Sequence, residues 1–314
     1  FRSTGAITQT GTITVTGTSD FAAGSNAITL DQANDFQGRV SLSNSGSNDV
    51  TIDDANDLVL GTVSIAAGNL NVDNGGTITQ SGVISVGGNT VFNNSDGDNA
   101  DITLTNASNA FTGTVTFATD SGSDISITDT TAFDLAALTA NTLTVNAGGA
   151  LTDSGTLAIT GATTISASGQ NITLDETAST FGTLSLTGAN VAVTENAATD
   201  LGASTVSGTL GITSAGAITN SGSLAITGDA TFDNSGGSDD AITLNNASNA
   251  FNGTVTFTTG SGSAVTIVDT TALDLVALTA GSLSVTAGGA VTDNGTLAIT
   301  GATTISASGQ NITL

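Results

Sequence analysis

Asp-Ile-Thr-Leu-Thr-Asn-Ala-Ser-Asn-Ala-Phe-Thr-Gly, residues 101–113, decides the fold because the chain writes it again: residues 241–253 read Ala-Ile-Thr-Leu-Asn-Asn-Ala-Ser-Asn-Ala-Phe-Asn-Gly. The copy runs on, so that 101–174 and 241–314 agree at 57 of 74 positions with an offset of 140. Its replacements are mild: Ile125 becomes Val265, Phe133 becomes Leu273 and Leu151 becomes Val291. A shorter period lies inside the long one. Ile-Thr-Leu followed by Phe-x-Gly, shortened to Phe-Gly in the third copy, begins at Ile28, Ile102, Ile172 and Ile242, with Phe36, Phe111, Phe181 and Phe251 as its phenylalanines. The modules, about 70 residues each, are 28–101, 102–171, 172–241 and 242–311, with the end of one at 1–27 and the start of another at 312–314. Repetition in register is the mark of a stacked array whose units touch their neighbours. The expectation is one solenoid segment over 1–314, cut from a longer array.

Working outward, each module divides into three sub-repeats. The first carries Ile-Thr-Leu, the Phe-x-Gly turn and an alternating strand, as at Arg39–Leu42, Thr114–Phe117, Thr183–Leu186 and Thr254–Phe257. The second begins at Val50, Ile125, Val191 and Val265, and the third at Leu70, Leu143, Leu210 and Leu283. Apolar residues alternate with Thr and Ser, the period of a half-buried strand. A β-sandwich would share the short strands, but it has no reason to copy itself in register. The fold expected is all-β, a right-handed parallel β-helix of 13–14 coils of roughly 23 residues. The core ladder should contain Ile28, Phe36, Ile102, Phe111, Ile172, Phe181, Ile242 and Phe251, the phenylalanines each filling one corner of the coil.

Composition limits the function. The 27 acidic residues face only two basic ones, Arg2 and Arg39, for a net charge of −25. Such a surface repels nucleic-acid phosphates and anionic membranes, and keeps an extended body soluble. No apolar run is long enough to span a bilayer as a helix. With no His and no Cys, the usual general base, thiol nucleophile and Ser/His/Asp arrangement are all excluded. The remaining acids recur with the repeat and do not converge on one place, so no enzyme is expected.

Aspartates at turns raise the question of calcium, a hard cation that takes oxygen ligands. Asp96, Asp98 and Asp101 lie close together, with Asp239 and Asp240 in the matching place one long repeat later. Their spacing fits neither an EF-hand loop nor the nonapeptide of calcium-filled β-rolls. The corresponding turn of the module between them, 167–171, has no carboxylate. No required cofactor is expected, with Ca²⁺ the one candidate ion. Two other surface roles suit this chain less well. Thr-x-Thr pairs such as Thr142 and Thr144 suggest an ice-binding face, which coils of unequal length would break; a glycan-binding module would want aromatic platforms that this chain lacks.

Asn-Asp-Phe-Gln-Gly-Arg-Val-Ser-Leu (34–42), Asn-Asp-Val-Thr-Ile-Asp-Asp-Ala-Asn-Asp-Leu (48–58) and Gly-Thr-Ile-Thr-Gln-Ser-Gly (76–82) resemble the repeat shaft of filamentous-haemagglutinin-like adhesins. Those are large bacterial surface proteins exported by two-partner secretion or related routes. The resemblance implies a right-handed β-helix, a secreted, cell-surface location and a structural role as adhesin stalk or filament body. Its partners would be further repeats of the same chain, or copies joined end to end, with a short self-assembling filament subunit as the alternative.

Overall fold

The strands are short because the apolar runs are short. Ile102-Thr103-Leu104 buries Ile102 and Leu104 and turns Thr103 outward, and Ile242-Thr243-Leu244 again buries its two aliphatic ends. β-Branched residues suit this half-buried pleat, while Gly, Asn and Asp turn the chain after a few residues. The computed structural model describes residues 1–95, 99–237 and 239–314. Its regular elements are all strands, and no helix among the described residues is long and apolar enough to cross a membrane. The chain forms two compact units, 1–161 and 162–314.

In the first unit one face is a ladder of parallel strands that includes Ile28–Phe36, Val50–Asp54, Leu70–Asn74 and Thr90–Asn93. Ile28 pairs with Val50, Val50 with Leu70, and Leu70 with Thr90. A second face stacks Ile78, Ile102, Ile125 and Leu143 in the same way. The second unit repeats the arrangement: Ile172, Val191, Leu210, Ala230 and Val255 form one column, and Ile218, Ile242, Val265 and Leu283 another. Like side chains therefore lie on like, one strand spacing of about 4.8 Å apart.

The architecture is the expected parallel β-solenoid. Its turns are shorter than expected, about 15 in number and about 20 residues apart. Dividing a module by three had assumed equal turns. The register steps instead run from 18 residues (Asp124 to Thr142) to 25 (Thr90 to Val115) in the first unit. They run from 17 (Thr183 to Asp200) to 25 (Ala225 to Ala250) in the second.

The cores are made of stacked Ile, Leu and Val with phenylalanine clusters. Ile28, Phe36, Ile102, Phe111, Ile172, Phe181, Ile242 and Phe251 are all buried. The rings do more than fill single corners. Phe92 stacks on Phe117 at 5.8 Å and meets Phe111 edge-on at 6.1 Å, and Phe232 does the same with Phe257 and Phe251. Each buried Ile, Leu or Phe contributes about 1.5–3 kcal/mol by leaving water. At one corner backbones approach too closely for any side chain: a Cβ on Gly88 would sit 2.5 Å from the Gly68 carbonyl oxygen, and one on Gly113 would sit 2.6 Å from that of Gly88.

Candidate functional site

A polar frame runs beside the apolar ladders, built from residues that recur with the modules. Its first part is a buried carboxyl beneath each Phe-x-Gly turn. The N–H groups of Phe36, Phe111 and Phe251 donate to Asp54 Oδ1, Asp129 Oδ1 and Asp269 Oδ1, at 3.0, 3.0 and 3.1 Å. In each case the acid lies 18 residues after the phenylalanine. The N–H of Phe181 donates to Glu195 Oε1 at 2.8 Å, across only 14 residues. All four acids are at most 2% exposed.

Burial is the largest influence on these carboxyls, because desolvation penalises the charged form. It pushes Asp54 up to about 6, against the pull of the Phe36 N–H and with a further push from the charges of Asp35 and Asp53. Burial also raises Asp129, Glu195 and Asp269, opposed by the N–H groups of Phe111, Phe181 and Phe251. Thr131 and Thr271 soften the effect by donating their hydroxyls to Asp129 and Asp269 at 2.8 and 3.0 Å. Among the described residues Asp54 Oδ2 has no hydrogen-bond partner.

The second part is a carboxamide clamp two residues before the phenylalanine. Asn109 Oδ1 accepts from Ile84 N and Gln80 Nε2, while Asn109 Nδ2 donates to Gln80 Oε1 and the Leu104 carbonyl. Asn34 makes the same set with Ile13, Gln9 and Leu30. Asn249 repeats most of it with Leu224, Asn220 and Leu244. Gln9, Gln80 and Asn220 each also reach the carbonyl of the glycine two residues on. These backbone groups would otherwise be buried and unpaired at corners where no strand neighbour reaches them.

The third part lies on the surface. Asp49, Asn69 and Asn89 each present Oδ1 to the N–H one turn later, at Asn69, Asn89 and Thr114. Asp134 accepts from the hydroxyls of Thr114, Thr152 and Ser154. Asp229 accepts from the Thr254 N–H, which holds its exposed carboxyl below the usual range. Much of the acidic charge is thus spent tying one turn to the next.

Two of the calcium candidates, Asp101 and Asp239, belong to this third set. Asp101 Oδ1 accepts from the Asp124 N–H at 2.9 Å, and Asp239 Oδ1 from the Gly262 N–H at 2.9 Å. The Asp240 backbone carbonyl accepts from Asn234. Asp96 and Asp98 lie outside the described residues. Among the described residues no group of three or more acidic, His or Cys side chains is placed to hold a metal ion.

The buried acids and the Gln/Asn clamp partners were not anticipated from the sequence. Two signals were available: an acid at the same distance after Phe36, Phe111 and Phe251, and an amide closing each Ile-Thr-Gln or Ile-Thr-Asn before a glycine.

Comparison with known families bears on the same repeats. Repeats of unknown function (DUF5649) match residues 1–43, 47–118, 122–187, 188–258 and 262–314, which is nearly the whole chain. No curated protein matches, and no solved structure matches. A chain whose stacked modules each renew the phenylalanine corner with a carboxyl on its N–H belongs to this family of repeats, DUF5649.

Proposed function

We propose that this repeat β-solenoid is a length of shaft in an extracellular bacterial surface protein, an adhesin stalk or filament body, with no chemistry of its own. The observation that carries the reading is where the polar side chains point. Module after module, the oxygens of Asp, Glu, Asn and Gln are turned onto backbone N–H groups of a neighbouring turn, as at Phe111, Ile84 and Thr114. Side chains used this way hold a stack together. The acids that burial perturbs most lie in the core, closed off from solvent. A repeated cohesive frame with an acidic exterior suits an element that spans distance and resists non-specific association. Its neighbours in such a protein are more repeats of the same kind.

Antibodies raised against residues 1–314 test this on intact cells of the source organism. Labelling of unpermeabilised cells, lost on brief external proteolysis, is the expected outcome. Signal that emerges only after permeabilisation would overturn the surface assignment. The size of the intact polypeptide separates the two structural forms: a chain several times longer than this segment fits a stalk, and one of similar length fits a stacking subunit.

A further inference from the structure

We propose that the four carboxyls buried against a phenylalanine N–H, Asp54, Asp129, Glu195 and Asp269, are proton-operated latches, which tighten the phenylalanine corners when protonated in mildly acidic surroundings and loosen them when ionised. The geometry is the same each time. A carboxyl at most 2% exposed sits under a corner of the coil and takes the phenylalanine N–H from an earlier turn. The donors range from the single Phe181 N–H on Glu195 to the Phe251 and Thr271 N–H groups and the Thr271 hydroxyl on Asp269. With no cation beside them among the described residues, desolvation still outweighs these bonds at all four. Among the described residues the charged groups acting on the four are Asp35 and Asp53, both on Asp54 and both negative. The other influences are backbone N–H groups and the side chains of Thr131, Thr199 and Thr271. Among the described residues neither arginine forms an ion pair with any of the four; Arg2 pairs with Asp20 at 3.6 Å. A neutral carboxyl keeps the bond to the phenylalanine N–H through its carbonyl oxygen and sheds the desolvation cost. The proton comes from solvent and returns to it.

The direction of the linkage follows. A carboxyl raised in the folded chain stabilises the fold fully below its unfolded value. That contribution is lost as pH climbs through the folded value. For Asp54 the window runs from 3.8 to about 6. The other three shift in the same direction. The net charge of −25 also eases on acidification, so a control must separate buried from exposed acids.

The test is thermal unfolding of residues 1–314 against pH, with a variant carrying Asp54→Asn, Asp129→Asn, Glu195→Gln and Asp269→Asn. The native chain should melt roughly 5–10 °C higher at about pH 4.5 than at about pH 7.5. The variant, neutral at all four corners, should lose most of that difference. A variant retaining the full difference would assign the effect to the surface and overturn the latch. Should the variant fail to fold, infrared titration of the native chain decides. A protonated-carboxyl band that persists to about pH 5–6, after the exposed acids have ionised, supports the latch; titration as one population near the ordinary carboxylate range overturns it.

Discussion

The modules 102–171 and 242–311 are near copies, and the one between them, 172–241, is a looser relative; their phenylalanine corners show which parts of the frame the fold insists on. In the two copies the acid is an aspartate 18 residues beyond the phenylalanine, with bonds of 3.0 and 3.1 Å. In the middle module the intervening chain is four residues shorter, the acid is Glu195, and the bond is 2.8 Å. The hydrogen bond survives a change of both spacing and side chain. The clamp residue does not survive in kind: Asn109 and Asn249 become Ser179, equally buried but far smaller. The ring packing differs as well. Phe111 has Phe92 and Phe133 edge-on at 6.1 and 6.4 Å, and Phe251 has Phe232 at 6.1 Å. Phe181 has no ring partner among the described residues and is 5% exposed. Satisfying the phenylalanine N–H is therefore the invariant of the corner, and how the space around it is filled is negotiable. An unpaired buried N–H costs about 1–3 kcal/mol wherever it occurs, whereas packing can be shared out among neighbours.

Truncating the phenylalanines should separate these corners most. Phe251→Ala is expected to cost about 3–5 kcal/mol in urea unfolding. Phe181→Ala should cost about 1 kcal/mol less, for want of an aromatic neighbour. Equal costs would mean that the ring pairs add nothing beyond area. Writing the middle module's residue into the last, Asn249→Ser, should cost about 2–3 kcal/mol. The shorter serine side chain has a single oxygen in place of the separate Oδ1 and Nδ2 with which Asn249 spans the Leu224 N–H and the Leu244 carbonyl. A smaller loss would show that water or a rearranged Asn220 replaces the clamp.

Glu195→Asp goes the other way, giving the short corner the acid of the long ones. With one methylene fewer, the carboxyl should fall short of the Phe181 N–H at a cost of about 1–2 kcal/mol, with faster amide exchange at Phe181. Unchanged exchange there would mean that the backbone closes up, and that the glutamate is not needed for reach. The smallest effect is expected on the surface. Asp229→Asn should leave the unfolding midpoint unresolved from that of the native chain. Asn89, at the equivalent place, already makes the same bond, to Thr114 N at 3.1 Å against 2.9 Å from Thr254 N to Asp229.

The architecture was legible because it rests on local alternation and on copying. Ile28, Leu30, Phe36, Val40 and Leu42 read as inward-facing from their period of two, and all are buried. Turn length was less legible. A module can be divided by three on paper, but the steps between paired residues vary from 17 to 25 because each loop is free to lengthen where it faces solvent. That variation is also why the polar frame escaped notice. Gln80 and Asn109 are 29 residues apart, and Phe111 and Asp129 are 18 apart. Nothing in either local stretch marks them as partners.

The sequence by itself determined that this chain stacks: β-branched alternation sets the strands, glycine and asparagine end them, and in-register copies leave parallel ladders as the arrangement that buries every repeat alike. Only the tertiary structure decided which turn lies over which residue. That choice depends on loop lengths summed around each coil. It turns four of the chain's 27 acidic residues, Asp54 and Asp129 in one unit and Glu195 and Asp269 in the other, from solvated carboxylates into buried acceptors of a phenylalanine N–H.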